Sequence, residues 1–370
     1  MLLALVLLST QHQHHASTSS WGAASHGAAF VQYARTFGTR GTYQFGSVNR
    51  VMVQAGGPAA GGVVLLDFMA SAEPITLTER GAPQLLQAAF HTSDGTTITD
   101  RAHPSPWIMA LSASYERALS ADVAVSLYGA AIGEPALGPP VYLHRASAEA
   151  NPVVPLSHHL QDDTHSSYGV ITAAVRWQAL HLEASAFNER QPEGSDHVFY
   201  YKGARLDAYS TRATIGAGAW RLFGTYGYLP EMTQGHAHGA QHRIGAGAIR
   251  TSPTWDVSFV YGANDLIGSA RPRRSLLAEA QRHWPGGHVL FTRAEFVQRT
   301  AEELELNGSI NTVQDVGALQ LGYGRDLMTR GSATLRLAAH ATVHVVTPQL
   351  EPFYGDRTLM ALGAHAQVSW

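Results

Sequence analysis

Cysteine is absent from the 370 residues, which excludes a disulfide framework and any thiolate metal site. Charge is sparse: 14% of residues are Asp, Glu, Lys or Arg, against roughly 25% in ordinary soluble proteins. The formal net charge of -3 is too small to argue for a nucleic-acid partner. Beyond the N-terminus there is no run of 18 apolar residues, so no transmembrane helix is expected. Neither G-x-S-x-G nor H-E-x-x-H occurs, and there is no P-loop or usable dinucleotide fingerprint. The common signatures of serine hydrolases, zinc proteases and nucleotide enzymes are therefore missing, and no enzyme is expected. What the chain has in quantity is glycine, at 36 residues, and histidine, at 20.

Length alone would suggest two or three domains, but the patterning argues for one. Met1–Leu8 is an apolar run followed by polar residues, the outline of a secretory leader that lacks a positively charged start. Residues 1–16 are expected to be that leader and 17–370 a single barrel. From about Ser25 onward, apolar and polar positions alternate in segments of roughly 9 to 14 residues. Near the C-terminus Leu335, Leu337, Ala339, Ala341, Val343 and Val345 share one face, and Thr334, Arg336, His340, Thr342 and His344 the other. The last segment sets Met360, Leu362, Ala364, Ala366, Val368 and Trp370 against His365, Gln367 and Ser369. Alternation sustained for that length means a strand with one apolar face, long enough to cross a bilayer at a tilt.

The connections sharpen this. Strands are expected near 25–37, 43–54, 60–72, 106–118, 121–132, 167–178, 179–189 and 204–215, then 217–229, 238–251, 254–264, 273–284, 287–299, 311–325, 332–346 and 357–370. Short turns (Gly56–Ala59, Leu119–Ala121, Trp177–Ala179, Gly216–Gly218, Ser252–Thr254, Trp284–Gly286, Met328–Gly331) alternate with longer loops. An even number of antiparallel strands, about 16 (14–18), with tight turns at one end and long loops at the other, is the pattern of an outer-membrane barrel. Aromatics near strand ends, Trp177, Trp255, Trp284 and Trp370 among them, suit interfacial girdles. An aromatic last residue on an alternating strand suits recognition by the barrel-assembly machinery. The fold class is all-β, an antiparallel transmembrane β-barrel in contact with membrane lipid.

Between the fifth and sixth strands lies a stretch that cannot be regular. Residues 133–168 carry Pro135, Pro139, Pro140, Pro152 and Pro155, which remove backbone donors and forbid a long helix or central strand. Val141, Tyr142, Leu143, Val153, Val154 and Leu156 ask for burial, so a long loop folded inward is expected. It also concentrates metal-type donors: His144, His158, His159, Asp162, Asp163 and His165. Neutral imidazole and carboxylate suit Zn, Cu(II) or Ni; alternatively the same groups hydrogen-bond to Arg145, Thr164 and the barrel wall and so fix the loop. On the polar faces of the strands Glu279, His283, Arg293, Glu295, Arg336, His340, His344 and His365 would line the lumen. His12, His14 and His15, and the loop histidines His236, His238 and His242, are further candidates for weak ion capture.

The runs GEPALGPP, LHR and NPVVPLSHHLQDDTHSSYGV within 133–172 resemble an uncharacterised family of bacterial outer-membrane barrels, whose members read GEPALGPPAFMHR and then NPEAPISHHWLDSTHITFGV. The upstream DGTTITDRAHPSPW is similar to a segment that in the family usually ends DRQHPHD; His103-Pro104-Ser105-Pro106 here lacks its second histidine and its aspartate. The resemblance implies an outer-membrane barrel, often near metal-resistance functions, and implies no established activity or site residue.

Taken together, these features predict a porin-like channel for small solutes in the bacterial outer membrane, with divalent ions such as Zn or Cu as one class of solute. The alternatives are a structural barrel plugged by its own loops, or an outer-membrane hydrolase, for which Ser157 beside His158 is a candidate pair, although neighbours in sequence rarely form the hydrogen bond such catalysis needs.

Overall fold

A sheet with one apolar and one polar face is stable in lipid only if it closes, because an open edge leaves backbone groups without partners. The computed structural model describes residues 20–77, 81–92, 95–192, 205–230, 239–269, 271–306 and 313–370. The expected leader (1–16), with His12, His14 and His15, lies outside them, as do His236 and His238. Sixteen antiparallel strands form one closed barrel. In chain order they are β1 (Gly22–Thr36), β2 (Tyr43–Ala59), β3 (Gly62–Ala70), β4 (Ile108–Ala118), β5 (Val123–Gly133), β6 (Ser167–Trp177), β7 (Leu180–Asn188) and β8 (Ala208–Ala217). There follow β9 (Trp220–Leu229), β10 (Gln241–Arg250), β11 (Trp255–Leu266), β12 (Arg273–Trp284), β13 (His288–Arg299), β14 (Gln314–Arg330), β15 (Ala333–Val346) and β16 (Thr358–Ser369). Each strand pairs with its neighbours in sequence, and β1 meets β16 from Ala28↔Ser369 to Thr36↔Ala361.

The alternation sets the faces. Leu337, Leu362 and Val368 are 49%, 43% and 42% exposed and point toward lipid, whereas His340, His344 and His365 are buried inside. Exposed Leu, Val and Phe recur on the outward face of nearly every strand, as a lipid-facing band requires. Connections at one end are tight, at 60–61, 119–122, 178–179, 218–219, 251–254, 285–287 and 331–332. At the other they run from 37–42 to the long 71–107 and 134–166.

Two turns differ from expectation. β2 continues through Gly56, Gly57 and Pro58 to Ala59, and the turn is Ala60–Gly61, both with positive φ (48° and 76°), as in a two-residue hairpin turn matched to strand twist. Pro58 is tolerated there because pairing with β1 stops at Gly22↔Gly56; beyond that point β2 has β3 alone as partner, through Pro58↔Val63, so no second ladder loses a donor. β14 likewise runs through Met328 to Arg330, and a register shift between Asp326 and Met328 absorbs the extra residue.

The seam between first and last strands is finished by Trp370. Its backbone exchanges two hydrogen bonds with Gly27, each 3.1 Å, and its indole lies where a Cβ on Gly27 would come within 2.7 Å of Cζ2. Trp370→Ala is expected to lower the yield of heat-modifiable barrel in cells several-fold while leaving detergent refolding largely intact. Normal cellular yield of the variant would remove Trp370 from any role in assembly.

Candidate functional site within the barrel

The five prolines hold 134–166 out of regular structure. Only short turns of helix occur there: Tyr142–His144, Ala146–Ala148, His158–Gln161 and Asp163–Ser166. The chain instead runs against inward-facing side chains on strand after strand. Ala136 N donates to Ser185 Oγ of β7 (2.8 Å), and Arg212 of β8 reaches Gly138 O (3.3 Å). Gly138 N meets Thr225 Oγ1 of β9 (3.3 Å), and Ser147 Oγ lies 2.7 Å from Ser258 Oγ of β11. Ala150 N donates to Gln281 of β12 (2.8 Å), Asn151 Nδ2 to Gln320 Oε1 of β14 (2.5 Å), and Gln367 of β16 to Glu149 O (3.1 Å). On the opposite side Val141, Tyr142 and Leu143 bury against Met52, Met69 and Met109 of β2, β3 and β4. Gly138 is required where it stands: its φ is +75°, and a Cβ there would collide with the Gln161 carbonyl oxygen.

A buried charge network runs through the middle of this segment. Glu279 Oε2 accepts from Arg293 Nε (2.8 Å) and lies 2.7 Å from its Nη2 as an ion pair, and its Oε1 accepts from Arg145 Nε (3.2 Å) and Ser147 Oγ (2.9 Å). Arg145 Nη1 continues to Asp162 Oδ2 (2.7 Å), which also accepts from Tyr142 N (3.1 Å), and His158 Nδ1 lies 2.6 Å from Asp162 Oδ1. The side chains of this chain are at most 5% exposed. Alternating signs with every oxygen engaged is what makes such burial tolerable. Asp163 is gripped by both terminal nitrogens of Arg243 (Nη2–Oδ2 3.1 Å). Glu295 accepts from Leu156 N (3.1 Å) and from Ser157 N and Oγ (2.9 and 2.8 Å).

The histidines form a separate feature. Rings of His103, His159, His158 and His165 follow one another at centroid separations of 5.5, 5.1 and 5.2 Å, and His103 stacks on Phe90 at 4.2 Å. Burial, with the proximity of His158 contributing, lowers His103 and His165, each to about 4. Burial on its own would raise Asp162, but His158 and Arg145 outweigh it and hold the carboxyl at about 2.

Of the donors expected to hold a metal, His158, His159, Asp162 and His165 are brought close together, while Asp163 is turned to Arg243 and His144, half-buried, sits on its own turn. Among the described residues no three of His, Asp and Glu are arranged to hold an ion. The reason is competition: guanidinium groups already occupy both carboxylates bidentately or in networks. The lumen set is inward throughout. Glu279 and Arg293 pair, Glu295 ties down the loop, and Arg336 pairs with Asp326 (Nε–Oδ1 2.7 Å). His283 meets Gln281 at 2.8 Å, and the rings of His340 and His365 lie 5.9 Å apart. Sequence reasoning placed Arg145 among the hydrogen-bond partners of these side chains, as it is for Asp162, but missed Arg243 as the partner of Asp163, and missed Arg299, which donates to the carbonyls of Leu86 (3.2 Å) and Leu156. An inward arginine is legible from alternation; its partner in a loop 80 residues away, for Arg243, or 143, for Arg299 and Leu156, is not.

No protein-family model matches the chain, and no curated protein sequence does. Solved structures do. The anion-selective porin from Comamonas acidovorans is 10% identical with a TM-score of 0.55, covering 95% of this chain and 100% of that one. OmpF of Salmonella typhi, in complex with daunomycin, is 10% identical with a TM-score of 0.57, covering 93% and 97%. OmpT, an outer membrane protein of Vibrio cholerae, is 8% identical with a TM-score of 0.53, covering 94% and 98%. At such identity the likeness is one of fold: a sixteen-stranded barrel of the bacterial outer-membrane kind.

Two outcomes follow from the network and the histidines. Arg145→Ala leaves Glu279 and Asp162 short of a buried cation, a loss on the order of 3–5 kcal/mol in the docking of the loop; hydrogen exchange at 140–166 should accelerate while the strands stay protected. Because His103 and His165 bind protons near 6.5 when released but only near 4 in place, their contribution is complete above pH 6.5 and is lost as pH falls from 6.5 to 4. Opening of 156–166, corrected for intrinsic exchange, should therefore be faster at pH 5 than at pH 7, and equal opening at both would contradict it.

Proposed function

We propose that the protein is a porin-like channel for small solutes. The observation that carries this reading is the polar inner wall of a closed sixteen-stranded barrel. A barrel of that size encloses more space than its own wall side chains fill, and a polar lining favours water and hydrophilic solutes over lipid. The likeness in fold to porins supports the same reading. Segment 134–166 then acts as the constriction, and the pairing of its Arg145 with Glu279, itself held by Arg293, fixes it across the path. Chemistry on the solute is no part of this reading.

A second reading is favoured by one specific observation. The segment buries Leu137, Val141, Leu143, Leu156 and Leu160 while touching strands from β2 to β16, which suits a structural barrel closed by its own loop. Planar-bilayer recordings separate the two. A channel gives discrete conductance steps with wild-type protein, and larger steps with Arg145→Ala, whose loop is loosened. A plug gives no steps with wild-type protein and steps only with the variant. Handling of Zn or Cu is a subsidiary proposal. It predicts ion binding by the purified barrel that is lost in a His158→Ala/His159→Ala double variant; equal binding by both would end it.

A further inference from the structure

The outward face at the short-turn end carries a feature that the bore does not explain. On β12 the side chain of Arg282 points toward lipid, and its guanidinium lies over two indoles at once, 4.9 Å from the Trp255 ring centroid and 4.4 Å from that of Trp284. The geometry follows from register. Trp255 on β11 is the direct cross-strand partner of Arg282, and Trp284 is the next residue on the same face of β12. Two indoles fix the plane of the guanidinium but accept none of its hydrogen bonds. No described residue gives Arg282 a carboxylate or a hydrogen-bond acceptor; its contacts are the two rings. A planar cation with five donors is thus held ready at the level of the aromatic girdle.

The surroundings share its sign. Arg250, on the outward face of β10, caps the 251–254 turn through Ser252 Oγ and Trp255 O, both at 2.9 Å. Arg325 stands on the outward face of β14, opposite His288, and is exposed. On β11 and β14 the carboxylates near this end, Asp256 and Asp326, face inward and are held by Ser252 N (3.0 Å) and by Arg336. Hydrogen bonds donated to a phosphate at this depth, in a medium less polar than water, are stronger than the same bonds in bulk solvent.

We propose that Arg282, clamped between Trp255 and Trp284, is a binding site for the phosphate of a phospholipid in the leaflet on the short-turn side of the membrane. The fork of Arg282 takes the phosphate oxygens, the indoles lie along the glycerol and upper acyl region, and Arg250 on β10 and Arg325 on β14, two strands away on either side, add charge. A lipid is preferred to a soluble anion because the site opens sideways into the bilayer, between rings that themselves mark the interface.

Native mass spectrometry of the full-length barrel tests this, with phosphatidylglycerol, diacylglycerol of the same chains and inorganic phosphate as probes. Wild-type protein should retain phosphatidylglycerol, fail to retain diacylglycerol, and keep its lipid in millimolar phosphate. Arg282→Ala should weaken retention about fivefold, Arg282→Lys less, and Arg35→Ala, at the far end of the barrel, not at all. Should Arg282→Ala fail to fold, Arg282→Lys and the wild-type headgroup comparison decide the matter. Equal retention of diacylglycerol, unchanged retention in the folded Arg282 variants, or complete displacement by inorganic phosphate, which would make this a soluble-anion site, would each overturn the proposal.

Discussion

Everything in this molecule depends on closing the backbone hydrogen-bond ladder. In lipid an unpaired amide costs several kcal/mol, so β1 and β16 must meet, and the pairing from Ala28↔Ser369 to Thr36↔Ala361 is the condition under which the other strands are stable. Closure also fixes which residues can be polar. Once the outward row is apolar, the inward row is the only place left within the membrane for Arg, Glu and His, and the chain puts Glu279, Arg293, Arg336, His340, His344 and His365 there. The bore is polar because the outside cannot be.

A polar bore creates a second problem, which the segment between β5 and β6 solves. Inward arginines on β8, β10, β12 and β13 need counter-charges, and wall partners such as Glu183 for Arg212 meet only part of the demand. The loop supplies Asp163 to Arg243, and it sets its own Arg145, balanced by Asp162, against Glu279, which also holds Arg293; Glu303, after β13, serves Arg273 of β12. Swapping such a network for apolar groups is often neutral, whereas removing one member is costly. The network is thus better understood as fixing one position of the loop than as a source of net stability. A constriction that must not drift needs this kind of specification.

The fold was legible in the sequence because period-2 alternation and alternating loop lengths are local signals, read strand by strand. The two turns that shifted, at Ala60–Gly61 and after Arg330, lie where a proline or a register shift obscures the end of the alternation. The loop's irregularity was equally legible from its prolines. The roles of its polar residues were not. His158, His159, Asp162, Asp163 and His165 look like metal donors when taken alone; Arg145, which engages Asp162, is at hand in the same loop, but Arg243 lies some 80 residues from Asp163. Spacing identifies possible ligands; only tertiary contacts show which partner reaches them first. His103 was visible as a departure from a familiar segment, yet its place in the ring cluster depends on its long-range contact with His159 of the other loop.

The sequence separation within the network bears on the order of assembly. Arg145 and Glu279 are 134 residues apart, and Asn151 and Gln320 are 169 apart. Closing loops of that size carries an entropic cost that only the finished second half of the barrel can offset. Until β11 to β14 are in place, Arg145 and Asp162 lack the wall side chains that complete their network, and the segment remains solvated in the open end of a growing sheet. Docking of the loop is then a late event, and a barrel stalled with its later strands missing would carry an undocked segment open to proteolysis.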